Sequence, residues 1–473
     1  MNGFGPMNRF LLVTALLGMW LIGALPAAAQ TELTEQIAAA QSAADISFLL
    51  NCSGLVLLMT VGLAFFYGGF VAKRHVLNTL MMNFIALGLM AVVWLLWGYS
   101  LAFAPGNLII GGFQWLFLQG VGLETTGYLE GSAPAEMLSY APTVPHQLFM
   151  VYQAMFAVIT PALISGAIVE RTSFRAYCLF LVLWLTLVYC PLAHMVWGKG
   201  GLLGLTGLFK SMDFAGGMVV HTSSGISALV AALVIGSRGT YPNRVSPPHN
   251  VPFILLGAGL LWFGWFGFNA GSALASSSLA VSAFIATNTS AAMAMLTWLL
   301  LEQILRGKPT TVGAATGVVV GLVGVTPSAG FVSPMSALMI GILTAIACFF
   351  AINLKVQMGL DDSLDTFPVH GVGGVVGTIL TGVFAEQSIN SAGANGLLAG
   401  NPYQLIIQIG AVMLTVAFAA VMTFIILKLI SLVMPLRVQP GAELQGLDLT
   451  EHGEQAYGDD RFERREVTTF HEG

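Results

Sequence analysis

Apolar residues fill this chain in long blocks, and eleven blocks reach the roughly 20 helical residues that a bilayer requires. They cover approximately 46–72, 76–104, 147–169, 176–196, 214–236, 251–271, 279–305, 311–331, 334–354, 369–385 and 403–434. Runs of this length predict helices rather than strands, because every backbone group must be satisfied within lipid. The stretch 107–118 is apolar but too short to cross, and belongs to a polar-flanked outer loop. The expected fold class is an all-α integral membrane protein with eleven transmembrane helices.

A further apolar run precedes these. Arg9 is followed by "FLLVTALLGMWLIGAL", which ends in "PAAAQ". A basic start, a short apolar region and an A-x-A pattern describe a secretory signal peptide over residues 1–29, cut after Ala29. An uncleaved first span is the alternative. The expected organisation is this leader, a membrane domain over 30–436 and a tail over 437–473.

Composition agrees with a life in lipid: 56% of the 473 residues are hydrophobic and 8% charged, against roughly 25% charged in a soluble domain. The net charge of −5 comes largely from the tail and says little about partners; no nucleic-acid partner is expected. Cys52, Cys178, Cys190 and Cys348 lie in separate apolar runs without metal-ligand spacing, and read as small buried hydrophobes. No metal or cofactor is expected. Basic residues orient the chain. Alternate loops carry Lys73/Arg74, Arg171/Arg175, Arg238/Arg244, Arg306/Lys308 and Lys355, and the C-terminal region holds Lys428, Arg437, Arg461, Arg464 and Arg465. The intervening loops hold only Lys199 and Lys210. The positive-inside rule then puts the N-terminus outside and the C-terminus in the cytoplasm.

A weak internal symmetry is present. The first run ends "FFYGGF" and the sixth "GWFGFNAG"; the fifth opens D-x7-H (Asp213, His221), and the tenth is preceded by D-x4-H (Asp365, His370). Two five-helix repeats must be inverted in the membrane, since five is odd, and inverted repeats with a midplane site are a common transporter plan. The eleventh helix is then an extra one leading to the tail. His221 lies eight residues beyond Asp213, about 12 Å deeper at 1.5 Å per residue, and His370 approaches from the other face. His75, His249, His452 and His471 fall in cytoplasmic segments, and His146 and His194 near outer ends. Only His221 and His370 are expected deep in the membrane, where ionisable residues usually line a pathway.

Plainer readings stand beside these. Either histidine could be a packing residue bonded to a neighbouring backbone. Asp213 reads as a helix cap rather than a titrating group. "GWFGFNAGS" could be a small-residue helix contact with aromatic filling. Two buried histidines could ligate haem, although membrane cytochromes usually offer several deep histidines.

The stretches "DFAGGMVVHTSSGISALVAALVIG", "AHMVWGKGG", "GWFGFNAGSA", "RGKPT", "GLVGVTP" and "DTFPVHGVGG" occur in the order seen in bacterial ammonium transporters of the Amt/Mep/Rh superfamily, and the chain most resembles the Amt branch. The likeness runs from about residue 46 to "GLDLTEHGEQAYG" in the tail. It implies a homotrimer in the inner membrane, with a central pore in each subunit that takes ammonium, ammonia and methylammonium. It also implies that the tail helps a PII-type signalling protein to dock. By motif, Trp197 and Ser272 resemble an outer recruitment site, and Phe156 and Phe268 the paired phenyl gate beneath it. Asp213 resembles the aspartate supporting that site, and His221 and His370 resemble the twin histidines of the pore. Tyr152 stands where many relatives carry another recruitment-site phenylalanine. The expected function is transport, not catalysis; an ammonium sensor is the rival, though a sensor would be expected to carry an appended signalling domain.

Overall fold

The computed structural model describes residues 27–124, 139–243 and 246–458 of the protein, with side chains from residue 31. Eleven apolar helices follow in order: α1 (Ala27–Phe70), α2 (Lys73–Phe103), α3 (His146–Ile168), α4 (Phe174–Trp197), α5 (Gly217–Ile235), α6 (Val251–Gly271), α7 (Ser278–Arg306), α8 (Thr311–Val325), α9 (Pro334–Gln357), α10 (Phe367–Phe384) and α11 (Pro402–Val433). Ten are long and apolar enough to cross a bilayer, and α8 is shorter. Among the described residues there is no strand beyond two isolated bridges. The chain is an all-α, multi-pass membrane protein. The expected leader lies outside the described residues apart from its last three, and Arg244, Arg461, Arg464, Arg465 and His471 also lie outside them.

Two boundaries differ from the hydropathy reading. Helix α1 is already formed at Ala27, where the described residues begin, rather than starting near 46. Its first turns, "TELTEQIAAAQSAAD", are strong helix formers without being apolar, so hydropathy passes over them. Helix α8 ends at Val325 rather than 331. Pro327 has no N–H to continue the ladder, and residues 326–331 turn while staying buried. Ser328 N–H donates to the Val325 carbonyl and Phe331 N–H to that of Ser328. Irregular backbone at membrane depth is tolerated where protein covers it in this way.

Helices α1 and α6, the first of each repeat, pack along their glycines. A Cβ at Gly257 would lie 2.3 Å from the Phe66 nitrogen, and one at Gly69 2.6 Å from the Asn250 carbonyl. The small-residue reading of "GWFGFNAGS" holds for its glycines as well: a Cβ at Gly264 would lie 2.5 Å from the Leu55 carbonyl and one at Gly267 2.7 Å from that of Cys52. Helices α5 and α10 both open with a six-residue π-turn, Gly217–Thr222 and Phe367–Val372, and each π-turn carries one of the two deep histidines.

Charged side chains gather at one end of the bundle. Arg238 bridges Glu170 at 2.6 Å and Asp361 at 2.7 Å. Arg171, fully buried, donates to the carbonyls of Ala167, Gly236 and Asp361 and to the Ser363 hydroxyl. The tail forms α12 (Pro440–Gln445) and α13 (Leu447–His452) and folds back on the same end. Arg437 pairs with Glu443, Leu447 N–H donates to His75 Nδ1, and Asn78 N–H donates to the Asp448 carboxylate.

Burial alone would raise the Glu170 and Asp361 carboxyls, but the Arg238 guanidinium outweighs it and holds both below the ordinary carboxylate range. A lowered carboxylate contributes stability that is complete above its unfolded value, about 4, and is lost as pH falls through the lower folded value. Removing one partner of a buried pair costs about 3–5 kcal/mol. Arg238→Gln is therefore expected to lower the melting temperature of the purified protein at neutral pH, by an amount that shrinks toward pH 3. A melting curve unchanged at neutral pH would show that the cluster contributes nothing.

Candidate functional site

The site begins with the buried start of α5. The Asp213 carboxylate accepts from the N–H groups of Gly216, Gly217 and Met218 at 2.7 Å each and from Val219 at 3.3 Å. A helix start leaves such donors without intrahelical partners, and here one side chain takes four of them. Gly216, at φ 119°, makes the turn that folds the backbone onto the carboxylate. The α8 turn closes the other side, with Phe214 N–H donating to the Pro327 carbonyl at 3.0 Å. Gln408 on α11 grips Met212 at both its N–H and its carbonyl. The expected capping role of Asp213 is what the geometry provides.

The start of α10 repeats the device, but through a different acid from the one expected. Asp362, not Asp365, accepts from the N–H groups of Thr366 at 3.1 Å and Phe367 at 2.7 Å. Asp365 turns away to pair with Lys355. The spacing from Asp362 to His370 is the same D-x7-H as from Asp213 to His221. Equal spacing was the signal available in the sequence; the nearer acid in "DTFPVH" hid it.

The two π-turns bring the histidines together. His221 Nδ1 lies 3.3 Å from His370 Nδ1, with ring centroids 5.4 Å apart. The approach depends on a missing side chain, because a Cβ on Gly225 would lie 1.9 Å from the Gly371 nitrogen. Imidazoles in direct contact leave no room for a macrocycle between them, so the pair does not fit a haem. Among the described residues neither imidazole is bonded to backbone, and His221 Nε2 has no partner. Trp265, which sequence reasoning left within its motif, stacks on His221 at 5.4 Å and 20°. Its indole N–H is held by Thr326 Oγ1 at 2.8 Å.

Beyond His221 toward Asp213, Phe268 and Phe156 stack at 4.2 Å and 29°. Past them opens a cavity of about 270 Å³ lined by Phe149, Phe156, Trp197, Asp213 and Ser272 among others. Trp197 donates its indole N–H to the Asp213 carbonyl at 2.9 Å, with its ring edge-on to Phe156 at 6.0 Å. On the histidine side of the phenyl pair the passage narrows to about 10 Å³ among His221, His370, Trp265, Leu261 and Val220. That is room for about one water-sized molecule. One expectation needs correcting: Tyr152 does not line the outer cavity. It is fully buried behind the wall, edge-on to Phe156 at 5.1 Å, because its hydroxyl finds backbone partners on α6.

Sequence comparison adds an independent line. The ammonium transporter of Bacillus subtilis is 50% identical over 416 residues, covering 88% of this chain and 98% of that protein. The crystal structure of Saccharomyces cerevisiae Mep2 superposes with a TM-score of 0.75 at 36% identity, over 84% of this chain and 89% of that one. A solved sensor Amt protein superposes at 0.77 with 28% identity, over 87% and 99%. The sequence model of the Ammonium Transporter Family matches residues 47–457, and the chain belongs to that family.

Proposed function

We propose that this protein carries ammonium across the inner membrane by recruiting the ion in the outer aromatic cavity and passing it on as neutral ammonia. The observation that carries this reading is the sequence of environments along one line. An aromatic cavity is closed by the Phe156–Phe268 stack, and behind it lies a passage of about 10 Å³ whose polar groups are two touching imidazoles.

The physics runs in that order. Aromatic faces attract a small cation by about 2 kcal/mol or more when it is desolvated, with Trp the strongest. That is enough for capture beside Trp197 and Phe156. It falls far short of the idealised cost of carrying a bare ion through an apolar passage, on the order of tens of kcal/mol. Potassium has no way around that barrier. Ammonium has one: it gives up a proton and continues as ammonia, which the imidazoles accompany as hydrogen-bond donors or acceptors. Asp213 contributes by holding α5 and the Trp197 indole in place, its carboxylate being occupied by backbone donors. The charged end, with the tail, faces the cytoplasm by the positive-inside rule. Assembly as a homotrimer and docking of a PII-type protein at the tail belong to the same reading.

A second reading, an ammonium sensor, draws on the likeness to the solved sensor Amt protein. Flux separates the two: saturable ammonium binding without flux in proteoliposomes would favour sensing.

Three outcomes are expected. Trp197→Leu removes the strongest cation-attracting face, so the half-saturation for labelled methylammonium rises about tenfold or more while the oligomer stays intact. An unchanged half-saturation would remove Trp197 from the recruitment site. Replacing His221 or His370 by alanine abolishes normal ammonium flux and opens a leak to potassium. The double variant is little worse than either single, since groups acting as one unit are non-additive. Wild-type flux and selectivity in both singles would return the pair to core packing. Truncation after Arg437 removes Glu443, Leu447 and Asp448, which bond Gly239, His75 and Asn78 outside the tail. It should leave some uptake but disturb coupling between subunits or nitrogen-dependent shut-off. Full activity with intact regulation would count against a regulatory tail.

A further inference from the structure

Lys199 stands two positions beyond Trp197 in the loop that follows α4, and lines the same outer cavity, together with Tyr140. The Tyr140 ring is held firmly. It stacks on Phe149 at 4.9 Å and 6° and meets Phe103 edge-on at 5.2 Å. Its hydroxyl donates to the Phe103 carbonyl at 2.8 Å and accepts from the Lys199 N–H at 3.0 Å. The Lys199 side chain turns back over this ring, with Nζ 5.6 Å from the centroid. A lysine head is a tethered alkylammonium, and here it rests on an aromatic face of the cavity wall.

Among the described residues that line the cavity, Asp213 and Lys199 carry charge. Four backbone N–H groups occupy the Asp213 oxygens, but hydrogen bonds do not cancel a charge felt at a distance. That charge draws every cation in proportion to its valence, whether or not the cation brings N–H donors. A fixed positive charge on the same wall opposes the pull.

We propose that Lys199 is a specificity-determining residue of the outer cavity, whose ammonium offsets the Asp213 charge so that capture depends on the aromatic faces. This rests on the outer cavity being the recruitment site. Ammonium is held less tightly because of Lys199. Divalent cations are turned away more strongly, since a doubly charged ion meets twice the repulsion.

The test is uptake of labelled methylammonium by proteoliposomes over a concentration series, in about 10 mM and about 1 M sodium chloride. Charges reach about 30 Å in the first and about 3 Å in the second. In low salt Lys199→Gln is expected to lower the half-saturation about 2- to 5-fold, on the scale of one like charge removed across a wet cavity. It also makes uptake more sensitive to added magnesium. In high salt the variant and the wild type converge. Lys199→Arg keeps the charge, and so restores the wild-type half-saturation and salt response. If Lys199→Gln fails to insert, Lys199→Met carries the same test. An unchanged half-saturation in low salt overturns the proposal. A shift that survives in high salt, or that Lys199→Arg shares, overturns it as well, because packing rather than charge would then be the cause. The recruitment reading fails separately, if Trp197→Leu leaves the half-saturation unchanged.

Discussion

A helix that starts inside a protein buried in lipid has N–H groups that water cannot reach, and each left unpaired costs several kcal/mol. The candidate site is built on the answer to that constraint. Helices α5 and α10 begin within the bundle, and Asp213 and Asp362 accept from their first N–H groups. With those starts fixed, a π-turn places one histidine on each helix eight residues beyond its aspartate. The same Asp213 segment holds the indole of Trp197 by its carbonyl. Cap and π-turn histidine are thus one construction used twice, and the aromatic cavity joins it at the Asp213 end.

The gradient along the pathway follows from which groups are left open. At the cavity, aromatic faces and the Ser272 oxygen are available, and Asp213 offers no free oxygen because its carboxylate is occupied by backbone. A bare carboxylate there would hold any cation, potassium included, through charge alone. Below the phenyl stack the walls are hydrocarbon and indole, and the polarity that remains is that of two neutral-capable rings. On the proposed reading, selection by shape comes before selection by the ability to lose a proton.

Much of this was legible in the sequence because hydropathy and charge act over whole spans. Eleven apolar blocks, the burial of His221 and His370 and the capping role of Asp213 could be read from the chain itself. What escaped depended on contacts between distant segments. The part of α1 that precedes the first apolar block rests on helix propensity in "TELTEQIAAAQSAAD", which hydropathy does not register. Asp362 was passed over for Asp365 because a nearer acid looked sufficient, and only the hydrogen bonds separate a cap from a lysine partner. Trp265 gains its place from Thr326, 61 positions away. Tyr152 was expected at the cavity wall; one hydroxyl, drawn to the α6 backbone, put it behind that wall.

The crossing of α5 and α10 has a consequence for how this protein tolerates change. Aromatic walls have slack, since rings of similar size can exchange and neighbouring side chains can turn to suit. At Gly225 a methyl would meet the backbone of His370 and Gly371, and no rotamer exists that could yield. A single methyl group there acts as a wedge at the narrowest point, forcing apart the two segments that carry the imidazoles. Drift in this lineage is thus least free at positions that contribute no chemistry of their own, and a survey of inactivating mutations would find its densest cluster where there is no side chain to lose.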